Sequence, residues 1–261
     1  MPIHDADRAW EWFGATDPYF AVLTDDRYSG PRLSTAALEE FFASGERYTV
    51  ALFDLLDRSI APGFAPARAL DFGCGVGRVL IPLSRRCEEV VGVDVSQSML
   101  QVALRNCQEQ GIANAALLRG DDELTAVSGT FDFIHSFIVF QHIPVARGEA
   151  LTRRLLELLR QDGVGALHYT YDVQWPGMTG ISTWAKLHVP LARTVANLIK
   201  RRPIPTPVMQ MNAYSLSRLM RILHDAGCEQ VCMRGTLHTE EGGLTARGVM
   251  VTFRKGGAPR L

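Results

Sequence analysis

Short apolar runs alternate with amphipathic segments from Ala67 towards the end of the chain. This alternation is typical of parallel β-strands joined by crossover helices. The runs predicted to be strands are ARALDF, VVGVDV, AALLRG, FDFIHSF, GVGALHYTY, EQVCMR and GVMVTFR. A Gly-rich loop around Gly242 and Gly243 separates the last two, which we expect to form an antiparallel edge. The pattern predicts an α/β fold with a doubly wound, seven-stranded, mostly parallel sheet and an antiparallel edge strand.

Helical spacing lies between these runs and also before the first of them. Helices are predicted over residues 79–86, 98–110, 145–160 and 215–227. A further helical stretch runs from Ser34, which suits an N-cap, to Ile60, and Gly45 predicts its division into two helices. We therefore expect an N-terminal helical extension over residues 1–65 and a sheet-containing domain over residues 66–261.

The alternation is interrupted between the fifth strand and the last helix. Residues 172–212 contain Trp175, Trp184 and several prolines, with only a short helical stretch. A long irregular connection inside a compact α/β domain usually has a function, often as a lid over a site. We expect this segment to be a lid-like insertion over the substrate.

Composition narrows the class of protein. With 261 residues, 47% of them apolar, the chain can bury a full core without disulfides. A net charge of −1 gives no global attraction to nucleic acid. The chain has neither a long apolar run nor a basic and apolar leader, so we expect no membrane span and no secretory signal. Its five scattered cysteines fit reduced thiols in the cytoplasm, and no Cys and His set has metal-ligand spacing.

The strongest candidate for chemistry is ALDFGCGVGR, residues 69–78. A predicted strand ends at Asp71, and three glycines follow at alternate positions before a helix. Glycines let the backbone approach a ligand, and a helix N-terminus presents free N–H groups. Asp94, at the end of the second strand, is placed to accept hydrogen bonds from ribose hydroxyls. A dinucleotide-binding GxGxxG turn would need glycine at Arg78, which disfavours a dehydrogenase.

In order and spacing, the motifs DFGCGVGR, GVDVS and FDFIHS resemble those of class I S-adenosylmethionine-dependent methyltransferases. The resemblance covers residues 65–171 and, more loosely, 212–254. It implies a Rossmann-like domain and S-adenosylmethionine as the cofactor, with an N-terminal extension that closes over it through Tyr19, Phe41 and Arg47. The residues that it implies for the cofactor are Asp71, Gly73, Cys74, Gly75, Arg78, Asp94, Val95, Ser96, Met99, Asp121, Asp122 and Phe137.

The segment after the fourth strand, SFIVFQHIP, bears on what is methylated. It has neither the [DN]-P-P-[YF] box of nucleic-acid amino methyltransferases nor a Pro-Cys nucleophile, so DNA is not an expected substrate. His142 is the candidate general base, with a structural hydrogen bond as its alternative role. The substrate-binding candidates are Tyr171, Asp172, Trp175 and Trp184.

These features favour methylation of a small molecule on oxygen or nitrogen. A methyltransferase that acts on RNA or protein, and a catalytically silent cofactor-binding partner subunit, are the alternatives. An enclosed cavity beside the cofactor would favour the small molecule, because a macromolecule needs a broad surface.

Overall fold

A computed structural model describes residues 5–174, 207, 209–239 and 244–256. The strands are β1 (Arg68–Phe72), β2 (Glu89–Asp94), β3 (Ala115–Arg119), β4 (Phe131–Ser136), β5 (Leu159–Gln174), β6 (Cys228–Thr239) and β7 (Thr245–Lys255). They form one sheet in the order β3-β2-β1-β4-β5-β7-β6. The first five strands pair in parallel, and β7 runs antiparallel to both of its neighbours, β5 and β6. The mostly parallel sheet with an antiparallel edge is therefore confirmed.

Helices flank this sheet and also precede it. They are α1 (Asp5–Thr16), α2 (Pro18–Val22), α3 (Thr35–Ser59), α4 (Leu80–Ser84), α5 (Gln97–Glu109), α6 (Val145–Leu158) and α7 (Leu216–Asp225). The side chains of Ser34, Ser96 and Ser215 cap α3, α5 and α7, because each accepts the backbone N–H of the residue three positions further on. Among the described residues, no helix is both long and apolar enough to cross a membrane.

The helix α3 continues through Gly45, so its predicted division into two helices is wrong. The position needs glycine for a different reason. A Cβ atom on Gly45 would lie 2.0 Å from the carbonyl oxygen of Arg78. Glycine therefore lets the backbone of α3 pack directly against the segment that follows β1.

The boundaries of β5 also differ from the expected ones. The helix before it ends at Leu158 rather than at residue 160, because Leu159 already pairs with Phe131 of β4. At its other end β5 continues to Gln174, which pairs with Thr245 of β7. The strand thus occupies the first positions of the predicted insertion, 172–212. The predicted lid and its residues Trp175 and Trp184 lie outside the described residues.

The two faces of the sheet pack against different helices. One face meets α6 and α7 through a continuous apolar core that includes Leu70, Ile134 and Leu167. The other face meets α3, α4 and α5. A third cluster, which includes Phe13 and Met99, fixes the N-terminal helices on α5. The helices before β1 are therefore held beside the C-terminal ends of β1 and β2.

Candidate functional site

A cavity opens at the C-terminal ends of β1, β2 and β4, where the strand order reverses between β1 and β4. Open α/β sheets bind ligands at such reversal points. The empty space, including the part open to solvent, is about 960 Å³. The predicted site residues that line this cavity are Gly73, Gly75, Arg78, Asp94, Val95, Met99, Asp121, Phe137 and His142. The fold thus brings most of the predicted cofactor residues together with the candidate base.

The glycine-rich turn after β1 forms one wall of the cavity. Gly73 and Gly75 have φ angles of +75° and +54°, which L side chains rarely adopt. A Cβ atom on Gly73 would lie 2.3 Å from Val139 Cγ2, and one on Gly75 would lie 2.9 Å from Val22 Cγ2. The N–H of Gly73 donates to the carbonyl of Val93 at 2.7 Å, which ties the turn to β2. A side chain at either glycine would strain the turn and displace the opposite wall.

Asp94 lies at the end of β2 and faces this turn. Its carboxylate accepts the backbone N–H groups of Gly75 and Ser96, each at 2.9 Å. Each oxygen keeps a second lone pair that can accept a hydroxyl from the cavity. Burial raises the pKa of Asp94 to about 6, although the backbone N–H groups act in the opposite direction. At neutral pH the carboxylate is therefore mostly ionised and can accept hydrogen bonds from a pair of hydroxyls.

The N-terminal helices α1 and α2 cover the cavity. Their residues that line it are Ala6, Asp7, Trp10, Ala21 and Val22. Glu11 attaches α1 to the start of α5, because its carboxylate accepts the hydroxyls of Ser96 and Ser98 at 2.9 and 2.6 Å. Asp7 attaches the same helix to α6 through a 2.6 Å ion pair with Arg147. Polar contacts on two sides thus hold α1 across the strand ends.

The expected cover residues Tyr19, Phe41 and Arg47 do not line the cavity. The hydroxyl of Tyr19 donates to Asn106 at 2.8 Å, which fixes α2 on α5. Phe41 is buried in the cluster between the N-terminal helices and α5. Arg47 is exposed and pairs with Glu40 on its own helix at 2.6 Å. Tyr19 and Phe41 therefore fix the cover in place, whereas the ion pair of Arg47 lies within α3. The contact with the cavity is made by α1 and α2.

Arg78 is a buried cation in the cavity wall. Its guanidinium carbon lies 5.8 Å from the ring centroids of both Tyr48 and Phe137. Its Nη1 donates to the hydroxyl of Ser44 at 3.3 Å, whereas its buried Nε has no hydrogen-bond partner within the described residues. Burial lowers the pKa of Arg78. A buried cation with an unused donor at a cavity wall fits an anionic group of a ligand.

Asp71 lies beside the cavity but does not line it. It pairs in register with His135 of β4, and His135 Nδ1 lies 2.7 Å from Asp71 Oδ1. The other ring nitrogen, Nε2, lies 2.8 Å from the hydroxyl of Tyr48 on α3. The three side chains form a hydrogen-bonded row, and its Asp71 end lies next to the glycine-rich turn.

His142 follows β4 in a single 3-10 turn, Phe140–His142. Its Nδ1 lies 2.8 Å from the carbonyl oxygen of Gln210, so Nδ1 carries the proton and donates it. Its Nε2 is then an acceptor, and the side-chain amide of Gln141 lies 3.1 Å away. Burial lowers the pKa of His142 to about 4. The imidazole is therefore neutral at pH 7, with an unprotonated Nε2 at the cavity.

The carboxylates of the two acids after β3 form hydrogen bonds and an ion pair with nearby residues. Asp121 lines the cavity, and its carboxylate accepts the backbone N–H groups of Glu123 and Thr125 at 3.1 and 2.9 Å. Asp122 does not line the cavity and pairs instead with Arg147, the same side chain that holds α1. Both acids thus shape the rim on the side of α6.

Four further predicted residues lie away from the cavity. Cys74 is buried, and its sulfur would lie 3.0 Å from a Cβ atom on Gly92, so it packs on β2. Ser96 caps α5. Tyr171 is exposed on β5, and Asp172 forms a 2.6 Å ion pair with Arg247. A β5 that extends to Gln174 carries these last two side chains away from the cavity.

The sequence of the central part matches a known family of domains. Residues 69–163 match the family described as "Methyltransferase domain". The chain carries a methyltransferase domain. Solved methyltransferases that contain S-adenosylmethionine or its product share this Rossmann-like sheet. The matched segment of the methyltransferase domain runs from β1 into β5 and contains the glycine-rich turn, Asp94 and His142.

Curated relatives resemble part of the chain. The ubiquinone biosynthesis O-methyltransferase of Parvibaculum lavamentivorans is 32% identical over 116 residues, which are 44% of this chain and 45% of that protein. The 23S rRNA (uracil(1939)-C(5))-methyltransferase of Stenotrophomonas maltophilia is 37% identical over 144 residues, 46% of this chain and 31% of that protein. The chain therefore spans less than half the length of these relatives.

Solved structures show the same fold over more of the chain. The magnesium protoporphyrin IX methyltransferase of Synechocystis, solved with bound SAH, aligns with a TM-score of 0.56 and 19% identity. The alignment covers 92% of this chain and 98% of that structure. The methyltransferase domain and its N-terminal helices thus follow a known architecture.

Some residues at the site of the methyltransferase domain have no clear signal in the sequence. Trp10 lines the cavity from a helix whose apolar residues have the ordinary spacing of any packed helix. Arg147 lies in a predicted amphipathic helix among other arginines. Nothing in the strand that carries His135 indicates its contacts with Asp71 and Tyr48.

Proposed function

We propose that the chain transfers a methyl group from S-adenosylmethionine to an oxygen or nitrogen of a small-molecule acceptor. The observation that carries this proposal is the covered cavity. Apolar side chains line most of this cavity, with a few charged and polar groups between them, as in small-molecule sites. Helices α1 and α2 of the same chain cover it, which favours a small acceptor over a macromolecule that would need an open surface.

The chemistry of the cavity walls fits the parts of the cofactor. The carboxylate of Asp94 would accept both ribose hydroxyls, and Arg78 would bind the carboxylate of the methionine part through its unused donor. Asp71 would bind the ammonium group from beside the glycine-rich turn. Apolar surfaces for the adenine ring come from Val95 and Met99, whereas Phe137 lies beside Arg78 and Tyr48 at the methionine end.

When bound, the cofactor supplies a methyl group that is already electrophilic. The chain then has to exclude water and hold the acceptor atom roughly 3 Å from that methyl group. Trp10 and the apolar residues around Val139 exclude water from the covered cavity. The unprotonated Nε2 of His142 can take a proton from a hydroxyl acceptor that replaces the side-chain amide of Gln141 on this nitrogen. A carboxylate acceptor would need no base.

RNA is the second candidate acceptor, because one relative is named for methylating C5 of a uracil in 23S rRNA. Two features disfavour it for this chain. A net charge of −1 gives little attraction to a phosphate backbone. None of the five cysteines, all within the described residues, lines the cavity, so the cavity offers no thiol for attack on a pyrimidine ring.

The first experiment is calorimetric titration of the full chain with S-adenosylmethionine, S-adenosylhomocysteine and NAD. We expect micromolar binding of the two sulfur compounds and none of NAD. Binding of NAD alone would favour the dehydrogenase that the glycine spacing disfavours. Binding of none of the three would overturn the proposal.

The second experiment tests transfer with a radiolabelled methyl group. Phenols, carboxylic acids and amines form the small-molecule panel, and total ribosomal RNA and unfolded protein are the alternative acceptors. Label on a small molecule supports the proposal. Label on RNA only would replace it with the second candidate. Cofactor binding without transfer to any class would favour a silent cofactor-binding subunit.

A further inference from the structure

The row formed by Tyr48, His135 and Asp71 is costly to bury. Asp71 and His135 expose only 3% and 1% of their surface, and both hydrogen bonds of the row measure 2.8 Å or less. Burying a carboxylate and an imidazole costs free energy that apolar side chains at the same positions would not. Stability alone therefore gives no reason for this row.

The ends of the row determine where its protons lie. An ionised Asp71 can only accept a hydrogen bond, so His135 Nδ1 carries a proton and donates it. His135 Nε2 then accepts the hydroxyl of Tyr48, and burial holds the pKa of that hydroxyl well above its usual range. The row is thus consistent with a phenol that donates to the imidazole and an imidazole that donates to the carboxylate.

The Asp71 end of the row is incomplete. Within the described residues, Asp71 makes one side-chain hydrogen bond, through Oδ1, which leaves Oδ2 for another partner. The next two residues, Phe72 and Gly73, line the cavity. An anion held at this place would attract a cationic amine from the cavity side.

We propose that Tyr48 and His135 are positioning residues, which hold the Asp71 carboxylate oriented towards the ammonium group of the cofactor. This inference rests on the proposed function. Tyr48 belongs to α3 and the other two residues to the sheet, so the docking of α3 is linked to recognition of the amino-acid part of the cofactor. The adenosine part contacts other residues, such as Asp94, and does not depend on the row.

The test compares two ligands on the full chain. S-Adenosylhomocysteine carries the ammonium group, and 5′-methylthioadenosine shares the adenosine but lacks the amino-acid part. Tyr48→Phe removes one hydrogen bond of the row and should weaken S-adenosylhomocysteine binding about three- to tenfold. His135→Leu removes both bonds and should weaken it about ten- to hundredfold. Affinity for 5′-methylthioadenosine should change less than about twofold in both variants.

Two further variants separate positioning from general structural damage. Tyr169→Phe is the matched control, because its buried hydroxyl bonds Thr152 at 2.8 Å on the opposite face of the sheet. It should lower the melting temperature and leave the affinity for both ligands unchanged. His135→Asn keeps a donor near the position of Nδ1, so it should recover part of the affinity lost in His135→Leu. If His135→Leu does not fold, His135→Asn takes its place in the test.

Selective loss of S-adenosylhomocysteine affinity supports the inference. Equal weakening of both ligands, or unchanged affinity in folded Tyr48→Phe and His135→Asn, would overturn it. If the wild-type chain binds neither ligand, the proposed function itself fails. If the wild-type chain binds both ligands and the variants bind them with the same affinities, only the proposed role of the row is rejected.

Discussion

The two faces of β1 and β4 differ at adjacent register positions. Leu70 pairs with Ile134 on the face towards α6 and α7, where both lie in a continuous apolar core. Asp71 pairs with His135 on the opposite face, where both are equally buried but hydrogen-bonded. The first face contributes free energy of folding through apolar burial. At Asp71 and His135 the second face instead holds polar groups in fixed positions at a cost in folding free energy, although apolar side chains such as Phe133 are also buried on that face.

Asp94 belongs to the second face as well. Asp71 pairs with Gly92 of β2, and residues two apart on a strand point to the same side. The acids proposed for the ribose and for the ammonium group are therefore on one side of the sheet, at the ends of neighbouring strands. Substitutions on the two faces should accordingly separate the stability of the fold from its affinity for the cofactor.

The largest expected effect is on the apolar face. Leu70→Ala should lower the free energy of unfolding by about 2–5 kcal/mol, because Leu70 is fully buried and its truncation leaves a cavity. Denaturant unfolding measures this loss. The folded fraction should still bind S-adenosylhomocysteine with nearly wild-type affinity. A large loss of affinity would break the proposed separation of the faces.

The next effect concerns His142. If it is the base, His142→Gln should lower kcat for a hydroxyl acceptor about 100-fold or more, with little change for a carboxylate acceptor. Because burial lowers the pKa of His142 to about 4, its protonation should not reduce the wild-type rate anywhere between pH 6 and 8. Equal rate losses for both acceptor types would instead indicate that His142 has only the structural hydrogen bond to Gln210.

Asp94→Ala should weaken cofactor binding by about 1–3 kcal/mol, from the loss of charge-assisted hydrogen bonds to the ribose. The matched control is Asp94→Asn, which keeps the size of the side chain and removes its charge. Calorimetric titration measures both variants. Unchanged affinity in folded Asp94→Ala would exclude the ribose role.

The smallest effect is a dependence on pH. Since burial raises the pKa of Asp94 to about 6, affinity for the cofactor should be constant above pH 7 and fall as the pH decreases through 6. The stability of the ligand-free fold should move in the opposite direction. A carboxyl pKa above its ordinary value means that ionisation costs folding free energy, so protonation near pH 6 stabilises the fold. Titrations of Asp94→Asn should lack both contributions.

The sheet and the glycine-rich turn could be predicted because local sequence determines them. Apolar runs indicate strands, and a turn with left-handed backbone at Gly73 and Gly75 requires glycine. Asp94 could be placed at a strand end for the same reason. Gly45 shows the limit of this reasoning. Local sequence indicates a helix break, whereas the structure uses the glycine for contact with a carbonyl oxygen distant in sequence.

The rest of the site depends on contacts between distant segments. Tyr48 meets His135 across 87 positions, through the packing of α3 on the sheet. Asp7 meets Arg147 across 140 positions, through the placement of α1 beside α6. Neither the apolar pattern of a helix nor the alternation of a strand specifies which partner a polar side chain will reach. These residues therefore become visible only once the elements are assembled.

The absence of a side chain at Gly45 also affects how α3 and the glycine-rich turn can move. The backbone of α3 meets the carbonyl of Arg78 with no side chain between them, so no change of rotamer can absorb a displacement. The glycine-rich turn and the middle of α3 should therefore move as one body. Amide hydrogen exchange in α3 would then slow when a ligand orders the turn. The rates of amide exchange in the N-terminal extension would thus indicate whether the cavity is occupied.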